Sequence, residues 1–175
     1  MFVDQATRFG ILRAIGDAHG PRKRGKILQR LLQIAFGHCG FRVVEERLVE
    51  GLDFDAVHRE NPNLKVCFEV RTTESREVPV KAEDLSQIDM RQGDGYRGGV
   101  AMLRIAPGQS WRFVDRDRLM VGKLRTSCST FVEWKKLAVE VNRKFDELLV
   151  RHETAMVDQG LDGLGEELMK VMRLG

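Results

Sequence analysis

Near residue 40 the chain changes its hydrophobic period, and that change limits what it can fold into. In residues 24–38, Leu28, Leu31, Leu32 and Ala35 recur at spacings of three and four, which lines one side of a helix. Residues 52–58 instead alternate apolar and polar, and residues 64–72 (LKVCFEVRT) contain a short apolar run. These are the patterns of a half-buried strand and of a strand in the middle of a sheet. Residues 41–48 are also rich in β-formers, Gly40 supplies a helix stop, and Asn61-Pro62-Asn63 is turn chemistry. Three strands joined by short turns predict an antiparallel meander.

The flanking segments extend this pattern. Residues 4–18 predict a short helix with Phe9, Ile11, Leu12 and Ile15 on one side, ended by Gly20-Pro21. Pro79 closes the loop after the third strand, and residues 82–92 predict a helix with Leu85 and Ile88 inward and Met90 as a further candidate. The glycine-rich segment 93–99 reads as a flexible loop, leading into a strand over 100–105. Residues 111–114 suggest an edge strand, with Asp115 capping a brief helix. From Ser129 or Thr130 a long helix is expected to about residue 157. Trp134, Ala138, Val141, Phe145 and Leu148 form a seam along it, either packing on the chain's own domain or pairing with a second copy. A last short helix follows Gly160 and Gly163. A meander, a helix crossover and a further strand predict an α/β fold with a mixed central sheet flanked by helices. The expected division is an α/β domain over 1–126 and a helical, possible dimerising tail over 127–175.

Composition narrows the function classes. Apolar residues make up 42% of the 175 and charged residues 31%, enough for one sizeable core. No apolar run is long enough to cross a bilayer, and no secretory signal is evident, so a cytoplasmic protein without a membrane partner is expected. Cys39, Cys67 and Cys128 are odd in number and form no CxxC pair, which argues against a disulfide framework or a cysteine zinc site. The four histidines show no metal-ligand spacing. The net charge of +3 says little. Its distribution says more: Arg22, Lys23, Arg24, Lys26 and Arg30 fall within nine residues, a cluster able to hold phosphates through charge.

The residues with the most chemical promise are Asp53, Asp55, Glu69 and Arg71. Asp53 and Asp55 share one face of a strand, and Glu69 and Arg71 share a face of the next. If those strands pair through the turn at 61–63, Asp55 and Glu69 are expected to approach each other. Two converging carboxylates suit a hard divalent cation, which can promote attack of water on a phosphodiester. Glu69 also lies in the most apolar strand of the chain, where an unpaired charge is costly.

This arrangement resembles the PD-(D/E)xK nuclease superfamily, the restriction-endonuclease-like proteins, and within it the archaeal-type Holliday junction resolvases. The resemblance rests on Arg24-Gly25 and Gln29 on a helix, Gly40-Phe41 entering a strand, Asp55-Ala56-Val57, and then Glu69-Val70-Arg71. The helix around Gln87 and the strand at 100–105 follow in the family's order. It covers about residues 22–106. It implies a Mg²⁺- or Mn²⁺-dependent endonuclease acting on double-stranded or branched DNA as a homodimer. Asp55 and Glu69 are then the metal ligands, with Asp53 in reserve. Arg71, or Lys81 in its place, supports the phosphate, and Gln87 positions water or backbone. Arg22, Lys23, Arg24, Lys26, Arg30, Tyr96 and Arg97 are the implied DNA contacts. The chain departs from the pattern at Arg71, where the family has lysine, and at Gln29, where some members carry a glutamate. The alternative is a module of the same fold that binds DNA or a protein without cutting.

Overall fold

The computed structural model describes residues 3–44 and 52–173. Its first element, α1 (Gln5–His38), is a pair of helical arms merged across a kink. Asp4 caps the first arm by accepting from the backbone of Ala6 and Thr7. At the kink Gly20 has φ 79°, and Pro21 begins the second arm, where a missing N–H costs nothing. The strands are β1 (Phe41–Val44), β2 (Phe54–His58), β3 (Lys65–Thr73), β4 (Glu77–Val80), β5 (Arg97–Arg104), β6 (Arg112–Asp115) and β7 (Gly122–Arg125). The expected continuation of the first strand beyond residue 44 lies outside the described residues. The remaining helices are α2 (Ala82–Gly93), α3 (Lys135–Arg151), α4 (Glu153–Gln159) and α5 (Gly165–Arg173).

The central sheet has the order β1-β2-β3-β5-β6, and β4 with β7 forms a separate two-stranded sheet. The first three strands are an antiparallel meander. The crossover through β4 and α2 then brings β5 parallel to β3, and β6 returns antiparallel. The mixed central sheet flanked by helices is thus as the hydrophobic patterning predicts.

Each face of the sheet has its own core. On one side α1, α3, α4 and α5 bury Leu28, Leu32 and Phe36 against Phe68, Phe113 and Trp111. The seam residues Trp134, Ala138, Val141, Phe145 and Leu148 lie in this same core, against α1 rather than on an open surface. Asn142 fastens α3 to the sheet by accepting from Trp111 N–H (2.8 Å) and donating to its carbonyl (3.0 Å). On the other side α2 and the β4–β7 pair cover a smaller core of Val78, Val80, Leu85, Ile88, Val100 and Met102. No helix among the described residues is long and apolar enough to cross a membrane.

The structure corrects three readings of the sequence. Gly98 and Gly99 are strand residues, not loop: a Cβ on Gly98 would meet Ile88 and Cys67, and one on Gly99 would overlap the Val114 carbonyl. Bareness here serves close packing of α2 and β6, not flexibility. The long tail helix is interrupted at His152, dividing α3 from α4. The segment around Pro79 is a short strand paired only with β7, where the absent N–H is tolerated.

Candidate functional site

The β2–β3 register decides which acids meet. Phe54 pairs with Phe68 and Asp55 with Cys67, so the next step along the ladder sets Asp53 opposite Glu69. In this register Asp55 stands opposite Cys67 and only diagonally from Glu69. Its carboxylate is taken by Arg91 of α2, in an ion pair over the neighbouring Cys67. Burial pushes the Cys67 thiol up to about 12, with the Asp55 charge adding to it, so this cysteine is an inert core residue.

Around Glu69 a compact charged cluster forms. Arg71, two residues on along β3, turns back onto the Glu69 carboxylate. Its Nη1 also donates to the Val70 carbonyl at 3.3 Å and lies 3.8 Å from Asp53 Oδ2. Its Nη2 is 3.0 Å from Asp84 Oδ2 in the first turn of α2, the same oxygen that accepts the Lys81 N–H at 2.9 Å. Asp53 is held from two further sides. Val70 N–H donates to its Oδ2 at 2.6 Å, and Gln29 Nε2 donates to its carbonyl at 3.2 Å. Lys26 Nζ stands 3.9 Å from Asp53 Oδ1. Three carboxylates thus surround one guanidinium, with a lysine at the edge.

The electrostatics follow from that imbalance. Glu69 is only 12% exposed. Burial, and then the Asp53 charge, raise its pKa to about 7 in spite of Arg71. Burial works against the Arg71 charge as well, but Glu69 and Asp84 outweigh it and hold the guanidinium above its usual pKa. The site still carries more negative charge than it can comfortably ionise.

Beside the cluster lies an open cleft of about 380 Å³, bounded by Arg22, Lys26, Gln29, Asp53, Arg71 and Thr72. The kink of α1 brings the start of its second arm here. Of the sequence-predicted basic contacts, Arg22 and Lys26 line this cleft. Lys23 is exposed and Arg30 half-buried, neither on the cleft wall. Arg24 is buried and tied to Glu74 at 2.7 Å. Arg97 is engaged by Asp115 at 3.2 Å and by Glu133, and Tyr96 stacks under Arg91 at 4.1 Å. Arg24 and Tyr96 serve internal contacts, whereas Arg97 stays 42% exposed beside its two carboxylates. Lys81 is exposed just before α2, and Gln87 sits half-buried one turn beyond Asp84.

Asp84 and Arg91 are participants that the sequence reading missed. A signal for the Asp53–Glu69 pair was present: a turn centred on Asn61 makes paired residues equidistant from it, and 53 and 69 are each eight away.

No family model matches the chain, and no curated protein matches it. Among solved structures it is similar to Hjc of Archaeoglobus fulgidus, a Holliday junction resolvase from an archaeal hyperthermophile. Identity is 20% and the TM-score 0.49, over 58% of this chain and 84% of that one.

A divalent cation can be tested against the donors. Among the described residues no three His, Cys, Asp or Glu side chains make a ready-made metal cage. What the cluster offers is two carboxylates, Asp53 and Glu69, with the Val70 carbonyl as a third oxygen. They surround the Arg71 Nη1 position, with the Val70 carbonyl at 3.3 Å and Asp53 Oδ2 at 3.8 Å, and would have to draw in to the roughly 2.1 Å of a Mg²⁺–oxygen bond. All-oxygen donors and surplus negative charge are what a hard cation such as Mg²⁺ requires, with water completing its shell. The residues fit such an ion on condition that Arg71 yields the position.

Proposed function

We propose that the chain is a divalent-metal-dependent DNA endonuclease that hydrolyses phosphodiester bonds at the Asp53–Glu69 cluster. The observation that carries this reading is the convergence of Asp53, Glu69 and the Val70 carbonyl on one cation position next to a basic cleft. Asp53 and Glu69 would hold Mg²⁺ or Mn²⁺ in place of the pair first suggested by sequence, Asp55 with Glu69. When bound, such an ion supplies charge stabilisation for the phosphorane-like transition state and lowers the pKa of a bound water.

The chain's own residues do the rest. Gln29 and the Val70 N–H fix Asp53 from behind, so its carboxylate is positioned before substrate arrives. Asp84 gives Arg71 a second anchor, so the guanidinium can leave Glu69 without leaving the site, and turn its donors to a phosphate oxygen. Lys26 and Arg22 face the cleft in which a strand would lie. Lys81 and Gln87 stay as flanking groups on the α2 side. Cutting both strands of a duplex calls for two such sites, hence a homodimer. Its interface has to avoid the Trp134–Leu148 seam, which is buried within the chain.

A second reading has its own support. Arg71 already sits as a cation among the acids, which favours a module that binds DNA without cutting. Plasmid nicking separates the two. With Mg²⁺ or Mn²⁺, wild type is expected to nick, and Asp53→Asn and Glu69→Gln to lose at least about 100-fold (roughly 3 kcal/mol of barrier). Asp55→Asn is expected to nick normally. DNA binding by a wild type that never nicks establishes the second reading; nicking abolished by Asp55→Asn but not by Asp53→Asn overturns the site.

A further inference from the structure

Beyond the acid cluster, the sheet face that carries Arg71 also carries arginines that no carboxylate reaches among the described residues. Met102 of β5 is paired with Arg71 of β3 on one side and with Arg112 of β6 on the other, and Arg104 pairs with Thr73 two residues further on. Alternation puts Arg71, Arg104 and Arg112 on the same face. Strand spacing and rise place Arg104 only about 8 Å from Arg71, backbone to backbone. Arg104 and Arg112 open into a second cleft of about 880 Å³, joined there by Arg76 and by Arg125.

These four arginines differ from the others on this face. Arg71, Arg91 and Arg116 each grip a carboxylate. Among the described residues Arg76, Arg104, Arg112 and Arg125 form no ion pair, and Arg112 meets only the carbonyls of Ser127 and Cys128, at 3.2 and 3.1 Å. The one carboxylate on the cleft wall, Glu77, is shared with Lys123 at 3.4 Å. Four guanidinium groups sharing a concave wall repel one another, a cost that an anion removes. The hydroxyls of Ser75 and Ser127 supply further donors, while that of Thr126 is spent on the Arg76 carbonyl at 3.1 Å. No aromatic side chain lines the cleft, so it lacks the ring platform on which bases most often stack, and its donors are those of a phosphate site. The chemistry selects phosphate rather than base.

We infer that this cleft binds backbone phosphates of the nucleic-acid strand that runs past the Asp53–Glu69 cluster. The inference takes the strand's presence from the function proposed above. Guanidinium forks match phosphate oxygens two at a time, and a sequence-blind phosphate site two residues down the sheet fixes the register of the strand without reading it.

The test is binding of a fluorescein-labelled DNA duplex by anisotropy in EDTA, where no cleavage occurs, across a salt series. Two variants are compared with wild type: Arg104→Gln/Arg125→Gln, and the fully surface-placed Arg76→Gln/Arg125→Gln, whose folding is not at stake. Each is expected to lose roughly tenfold in affinity and to flatten the salt slope by about two. Inorganic phosphate is added to parallel thermal melts. Unchanged DNA affinity, with phosphate stabilising wild type but not the variants, assigns the cleft to a free phosphate ligand and overturns the strand. No change in either readout overturns the site altogether. Weakened binding by the arginine variants of a protein that never nicks leaves the cleft standing and removes the cleavage reading. Normal nicking with undiminished binding does the reverse.

Discussion

The sheet has one dry face and one charged face, and they are built by different rules. Against α1 and α3, Phe36, Phe68, Phe113 and Trp134 stack at centroid distances of 5.2–5.9 Å. Against α2, the apolar patch is small, and the same strands present Asp53, Asp55, Glu69, Arg71, Arg104 and Arg112. Alternation along a single strand, β3, feeds both: Val66, Phe68 and Val70 to the first, Cys67, Glu69 and Arg71 to the second. Stability is invested on one side, and the other is left free to carry charges that cost stability.

Mutation tests that contrast directly. The largest effect is expected on the dry face, where Phe113→Ala removes a fully buried ring and lowers stability by about 3–5 kcal/mol in urea melts. A loss under about 1 kcal/mol there contradicts the division of labour. On the charged face the expected signature is pH dependence. Glu69 keeps its proton to about 7 in the fold, against an ordinary 4.5, so the native state binds the extra proton between those values. Its contribution to stability therefore falls as pH rises through that window. Between pH 5 and 8, wild type should lose roughly 1–3 kcal/mol relative to Glu69→Gln. Mg²⁺ should restore more of it at pH 8 than at pH 5, since only the ionised carboxylate binds metal. The smallest effect belongs to the solvent side of α3. Breaking the Arg143–Glu147 pair (2.6 Å) with Arg143→Ala should cost less than about 1 kcal/mol.

The dry face was legible in the sequence because burial leaves a periodic trace. Leu28, Leu31 and Leu32 mark one helix, Val66 and Phe68 the central strand, and the tail seam its own long helix. The charged face was legible only in its ingredients. Asp53 and Asp55 have the same alternation, so periodicity cannot choose between them; register does, and here a single step of two residues gives Asp55 to Arg91. Arg97 looked like a surface contact because nothing local shows that Asp115 and Glu133, far along the chain, converge on it. Gly98 and Gly99 looked like loop because the packing that needs their bareness comes from Ile88 and Val114, elements not adjacent in sequence. The β4–β7 pair was missed for a related reason: four-residue strands joined over forty residues leave almost no local pattern.

The bend at Gly20 separates two jobs that one straight rod would tie together. The first arm of α1 packs with the tail through Ile11, Leu12 and Ile15, and Arg8 reaches Asp146 at 2.6 Å. The second arm delivers Lys26 and Gln29 to the acid cluster. The joint is a backbone conformation that only glycine enters freely, and it is pinned beside the tail by His19, which meets the Met156 carbonyl at 2.8 Å. The tail meets the second arm as well, through His38 with Glu167 at 3.2 Å and Gly37 against Val171, so the terminal helices brace both arms on either side of the bend.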